Sequence, residues 1–279
     1  MSSRHLRLFL IVMSMVALHV IALAVPQEEI PRSIISDDFV KNRPRAKRRG
    51  PKPGPRTYRL ASTPRTSRPN ERASNFWQIG VTIWKLQQDR SRQLQRVSRR
   101  VEADTKFREG DLLRISIESP SAGYLYIVDR DWFTDGSGGE TNLIFPVSGE
   151  DNRLAPGKLI DVPTDIEASF KATPKPNQTG EMLTIIVTSS PLKLPLSNSP
   201  LPITSTQLSD WEKSWGAITD RYEMNDGAGQ TRTIEEQQAA VIGGTRQLTR
   251  DDPGPQTIYR LVPRNRHSVL FHLMLSYVH

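Results

Sequence analysis

Between Phe76 and Pro191, apolar side chains recur at every second position in run after run, and this pattern limits the fold more than any other feature. In FWQIGVTIWKL, Trp77, Ile79, Val81 and Ile83 fall on one side. In DLLRISIES, Leu113, Ile115 and Ile117 alternate with Arg114, Ser116 and Glu118. In GYLYIVDRD, Tyr124, Tyr126 and Val128 oppose Leu125 and Ile127. NLIFPV, KLIDVP and EMLTIIVTS continue the series, and Gly, Pro, Asn or Asp separates the runs. A period of two is that of a strand, and the separating residues are turn formers. Several such strands with no long helical pattern between them predict an antiparallel β-sandwich, immunoglobulin-like or jelly-roll-like, and disfavour βαβ units. The segment LQRVSRRVE (94–102) fits either a short strand or a helical turn.

Further on the period changes. Leu208, Trp211, Trp215, Ile218 and Tyr222 are spaced by three and four, which predicts an amphipathic helix opened by a Ser209/Glu212 capping box. Its two tryptophans could form a ligand platform, but packing on a sheet is favoured because each ring removes a large apolar area from water. Thr233 and Glu236 predict a second helix running to about Ile242 and stopped by Gly243-Gly244. QTIYRLV and SVLFHLMLSYV then return to strand, the last run apolar on both faces and therefore covered on both. Residues 75–279 thus read as one mainly β domain with one or two C-terminal helices packed on it.

The amino-terminal quarter is different. Arg4 and Arg7 precede an apolar run from Leu8 to Val25, and Ala22-Leu23-Ala24 offers small residues where a signal peptidase reads them. This layout predicts a secretory leader, residues 1–24, and a location in the periplasm, cell envelope or outside the cell. If the leader stays attached, it is also the chain's only expected contact with a membrane. Residues 26–72 carry 13 Lys and Arg against 5 Asp and Glu, which equals the whole formal charge of +8; the rest is nearly neutral. Residues 25–74 therefore read as a disordered, basic, proline-rich arm, too poor in apolar side chains to offset the entropy of ordering. Lys47-Arg48-Arg49 is its densest cationic point, suited to an anionic polymer. With Tyr58 as the one aromatic near it, a base-stacking platform is not expected, nor is nucleic acid as a partner.

Chemistry is sparse. Without cysteine the chain has no disulfide, no thiolate metal site and no thiol nucleophile. No G-x-S-x-G, H-E-x-x-H, phosphate loop or dinucleotide fingerprint occurs. His267 and His272, if on one strand, face opposite ways. The one suggestive stretch runs from Asp129 to Glu140, where Asp129, Asp131, Asp135 and Glu140 stand at positions 1, 3, 7 and 12. That oxygen spacing suits calcium, although Thr134 stands where an EF-hand needs glycine; a glycine-rich strand connection is the plainer reading. No other cofactor is expected. Trp132 and Phe133 in the same stretch are the candidate contact residues of a binding surface.

The succession Gly80-Val81-Thr82-Ile83-Trp84, Glu109-Gly110-Asp111, Gly123-Tyr124-Leu125-Tyr126-Ile127-Val128, Leu143-Ile144-Phe145-Pro146, Gly180-Glu181 and Val187-Thr188-Ser189-Ser190-Pro191-Leu192 resembles a bacterial family known only as a domain of unknown function. The resemblance covers residues 76–192 and is nearest to versions from acidobacteria. It implies an exported β-domain, in some proteins found beside kinase-like or caspase-like modules, and it implies no enzymatic role. The expected function is a non-enzymatic binding or structural module at the cell envelope. Two alternatives are a polysaccharide hydrolase using a carboxylate pair such as Asp129 and Asp135, and an accessory domain for a signalling or protease partner.

Overall fold

The alternating runs form two sheets packed face to face. A computed structural model describes residues 32–45, 76–88, 96–165, 167–224, 227–232 and 245–278. The leader, Lys47, Arg48, Arg49 and the expected helix from Thr233 to Ile242 lie outside the described residues.

The first sheet, sheet A, runs in the order β12 (Ile218–Glu223), β14 (Thr257–Val262), β1 (Trp77–Gln88), β4 (Leu112–Glu118), β8 (Lys158–Val162), β13 (Thr245–Gln247). β2 (Arg96–Val101) continues the edge of β1 beyond β14, so the ambiguous segment is strand from Arg96 to Val101, and β9 (Phe170–Lys171) continues β8 along β4. The second, sheet B, runs β11 (Leu201–Pro202), β6 (Gly138–Phe145), β5 (Gly123–Phe133), β10 (Gln178–Thr188), β15 (Ser268–Tyr277), β3 (Lys106–Phe107), with β7 (Arg153–Leu154) beside the start of β5. These strands pair antiparallel, except that β3 runs parallel to β15.

Between the sheets lies the main core. Ile79, Val81 and Ile83 of β1, Leu113, Ile115 and Ile117 of β4, Leu125 and Ile127 of β5, and Leu183, Ile185 and Val187 of β10 all point into it. Val269, Phe271, Leu273, Leu275 and Tyr277 of β15 complete it, and in β1, β4 and β5 the inward residues are those that the alternation put on one side. Fully burying one such side chain stabilises by about 1.5–3 kcal/mol. Within sheet B, β10 and β15 approach so closely at one point that only glycine fits: a Cβ on Gly180 would stand 2.3 Å from the Leu275 carbonyl oxygen.

Both outer faces are covered too. On sheet B, Tyr126, Val128, Leu143, Ile186 and Leu270 lie under α2 (Ser205–Trp215), through Leu208, Trp211 and Trp215, and under the leucines of the preceding proline-rich connection. The two tryptophans stack on each other, centroids 5.5 Å apart, and pack on this cluster. The helix departs from its expected limits. Thr204, not Ser209, is the N-cap and accepts from the Gln207 N–H. Gly216 ends it by donating to the Glu212 carbonyl, and Ile218 and Tyr222 belong to β12.

On sheet A the cover comes from the other end of the chain. Residues 32–45, part of the expected arm, are folded. α1 (Arg32–Val40) sets Ile35 and Phe39 against Ile258 of β14. A Cβ on Gly80 would stand 2.8 Å from the Phe39 ring and 2.6 Å from Pro255, so the glycine of the GVTIW run admits this helix. After α1, Pro44 restricts Arg43 to extended backbone. The domain therefore begins before residue 75, and one of its helices is amino-terminal. The physical reason is that the Arg43 side chain, 2% exposed, finds a buried carboxylate partner.

Candidate functional site

Alternation alone would give sheet A a solvated polar face, yet Thr82, Arg114, Ser116, Glu118 and Asp161 are all buried there. Arg43 pairs bidentately with Glu118, Nε–Oε2 3.0 Å and Nη2–Oε1 2.6 Å, and also donates to the Asp252 and Pro253 carbonyls. Burial pushes the Glu118 carboxyl up, and Arg43 opposes this. The Trp84 indole N–H donates to Ser116, whose hydroxyl donates to Asp161. Arg232 donates to both Asp161 oxygens at 2.8 Å and lies 4.9 Å from the centre of the Trp84 ring; Arg100 lies 5.0 Å from it. Arg114 donates to the carbonyls of Pro163, Asp165 and Ala168. Buried charges must be paired and hydrogen-bonded to persist, and these pairs tie the covering segments to the sheet. A cleft of about 490 Å³ opens beside this layer, between Arg32, Ser36 and Asp37 of α1 and Met224, Gln230 and Pro253.

The residues singled out in the sequence lie on sheet B, in the hairpin of β5 and β6. The four carboxylates do not converge as calcium ligands, because a two-stranded hairpin distributes them by strand parity and turn position. Asp129 and Asp131 share the inner parity of Leu125 and Ile127. Asp135 sits at the exposed turn, where it accepts from the Ser137 N–H and hydroxyl at 2.9 and 2.6 Å; these bonds hold its carboxyl below the usual range. Glu140 is exposed on β6. Asp131 accepts from Lys175 Nζ at 2.6 Å and from Gln178 Nε2 at 2.9 Å. Asp131, Glu140 and Asp129 all raise the Lys175 ammonium, so a lysine already supplies the positive charge here. Among the described residues no group of three or more His, Asp or Glu is placed to hold a metal ion.

Asp129 has the least usual environment. Its Oδ1 is buried without a hydrogen-bond partner. Desolvation, then Glu181 and Asp131, push its carboxyl up to about 7. Glu181, on β10 opposite Asp131, is itself pushed up by burial and accepts from the Tyr277 hydroxyl. The sequence pairing of Asp129 with Asp135 is thus replaced by a cluster of Asp129, Asp131 and Glu181. Glu181 was missed because its membership depends on strand register, which spacing within one segment does not supply.

Trp132 and Phe133 are also separated by parity. Trp132 stands on the outer face of sheet B with the Arg130 guanidinium 5.1 Å from its ring centre. Phe133 has the opposite parity. Beside Trp132, register aligns Thr141, Arg130, Met182 and Met274 across four strands, all half-buried. Glu212 of α2 lies 3.7 Å from both Arg130 and His272. His272 Nδ1 lies 3.1 Å from Thr184 Oγ1, which superficially resembles a nucleophile–base–acid set. Thr184 is fully buried, however, and cannot meet a substrate. Desolvation holds the His272 imidazole low, with Glu212 opposing.

Comparison of the chain with protein-family models, curated proteins and solved structures returns no match.

Proposed function

We propose that this chain is an exported β-sandwich that binds a component of the bacterial cell envelope and is not an enzyme. The observation that carries the reading is the half-buried row of Trp132, Arg130, Met182 and Met274, held on the same face of sheet B as the covered Tyr126, Val128, Leu143, Ile186 and Leu270. An aromatic ring, two polarizable thioethers and a guanidinium on a rigid surface suit recognition by shape and stacking. The leader pattern and the resemblance to exported β-domains are what support an exported location. The basic tract, led by Lys47, Arg48 and Arg49, adds charge-driven attraction to anionic polymers that salt weakens.

Sedimentation of the purified chain with envelope fragments tests this at low and high salt. Trp132→Ala is expected to lose at least tenfold in binding at both salt levels. Replacing Lys47, Arg48 and Arg49 by alanine is expected to remove only the salt-sensitive part. Binding by both variants equal to the parent would refute the proposal. The intact mass of the exported product tests the leader, since a species still containing Met1–Ala24 rules out cleavage.

A hydrolase remains the second reading because of Asp129. A carboxyl raised to about 7 beside two others is the kind of pair that divides acid and base roles. Turnover of purified envelope glycans, abolished in Asp129→Asn, would favour it over binding alone.

A further inference from the structure

The connection from β9 to β10 carries the chain from sheet A to sheet B across the end of the sandwich. It reads Ala172-Thr-Pro-Lys175-Pro-Asn-Gln178, and Asn177 takes a positive φ of 62°. Few apolar contacts hold it, since Thr173, Lys175, Pro176 and Asn177 are exposed. Polar bonds fasten it to β5. Lys175 and Gln178 both donate to Asp131, the Thr134 N–H donates to the Asn177 carbonyl at 2.9 Å, and the Thr179 hydroxyl donates to the Trp132 carbonyl at 3.1 Å. Lys175 and Gln178 therefore join the crossover to the strand on which Asp129 stands.

We propose that this crossover is a pH-responsive clasp, shut while Asp129 carries a proton and loosened once Asp129 ionises beside Asp131 and Glu181.

Groups from every neighbouring element bear on Asp129. Asp131 lies on its own strand. Glu181 comes from β10, with the Tyr277 hydroxyl of β15 bonded to it. Lys175 comes from the crossover, and Glu140 of β6 acts on Lys175. Opposite Asp129 on β6 is Asn142, which does not titrate. Ionisation adds a third charge beside Asp131 and Glu181 on the inner face, where Asp129 Oδ1 has no donor; Lys175 attracts that charge, so the cost that opening relieves is chiefly desolvation. The group whose pairing can change most cheaply is the exposed turn holding Lys175. Opening admits water to Asp129 and returns it to ordinary carboxylate behaviour. The open form then releases a proton that the closed form keeps, so opening rises with pH from about 4 to about 7 and levels off above. This holds whatever the outer face of the sheet binds.

Hydrogen exchange on the full chain, corrected for the intrinsic pH dependence, is the test. The Thr134 amide and the 172–180 segment are expected to open up to about tenfold more per pH unit between pH 5 and 7, with no further rise to pH 8. Amides of Ile185 and Ile186 in the middle of β10 should exchange more slowly throughout and report global opening separately. Asp129→Asn should abolish the rise, and Lys175→Met should leave the segment open at every pH. Segment exchange in the parent that does not change over this range would overturn the clasp, as would a rise that persists in Asp129→Asn.

Discussion

Replacing Arg43 by alanine is expected to destabilise the domain by about 3–5 kcal/mol, the usual consequence of leaving one partner of a buried ion pair alone. Both side chains are nearly sealed, at 2% and 3% exposure, and the guanidinium also satisfies the Asp252 and Pro253 carbonyls. Urea unfolding at neutral pH measures the loss. Arg43→Lys should recover only part of it, because an ammonium cannot reproduce the bidentate fork. The double change Arg43→Met, Glu118→Leu should recover much more, since paired apolar replacements remove the charge that needed compensation. The alanine variant should also show a larger pH dependence than the parent. Burial already pushes Glu118 up, and without Arg43 its folded form holds the proton more tightly than the unfolded chain. Stability should then fall as pH rises above the ordinary glutamate range. A loss below about 1 kcal/mol would mean that the pair is not buried in solution. A test of the basic tract must for the same reason leave residues 32–45 intact.

The stability of the parent protein should itself fall by up to about 4 kcal/mol between pH 4 and pH 7 through Asp129 alone, because its carboxyl is raised from 3.8 to about 7. Between those values the unfolded chain has lost this proton while the folded chain keeps it. The folded state binds more protons, so stability decreases with rising pH and levels off above about 7. Glu118 and Glu181, also raised, slope the same way, and Asp135 and Asp151, both lowered, slope the opposite way, so the comparison with Asp129→Asn isolates the effect. The variant should be the more stable of the two at pH 8 and close to the parent at pH 4. Parallel curves across this range would show that Asp129 is solvated.

Strand parity was legible from sequence wherever burial follows alternation. The inward residues of β1, β4 and β5 share one parity that can be read from their neighbours, whereas β15, apolar on both faces, does not declare its inward side. Residues 32–45 could not be read in this way. Ile35 and Phe39 are two apolar contacts in a polar stretch, and Arg43 stands among arginines and prolines that look like tract. Its partner Glu118 is 75 positions away, so only the fold reveals the pair. The helix limit failed for a local reason. The three–four spacing runs on through Ile218 and Tyr222, but Gly216 ends the helix and those two residues join a mostly exposed edge strand with little alternation of its own. In the acidic stretch the plainer reading, a glycine-rich strand connection, fits the fold, because spacing along a chain predicts convergence only in a loop that curls, whereas β5 and β6 are paired strands.

Arg45 is the last described residue before residues 46–75, and Phe76 begins the approach to β1 on the same sheet. The cationic stretch is thus fixed to one body at both ends. A protease cutting within it would release neither half: the amino-terminal piece would stay seated through Phe39 and Arg43, as a complementing peptide does in a nicked protein. Such damage would pass unnoticed by size and be seen only under denaturing conditions.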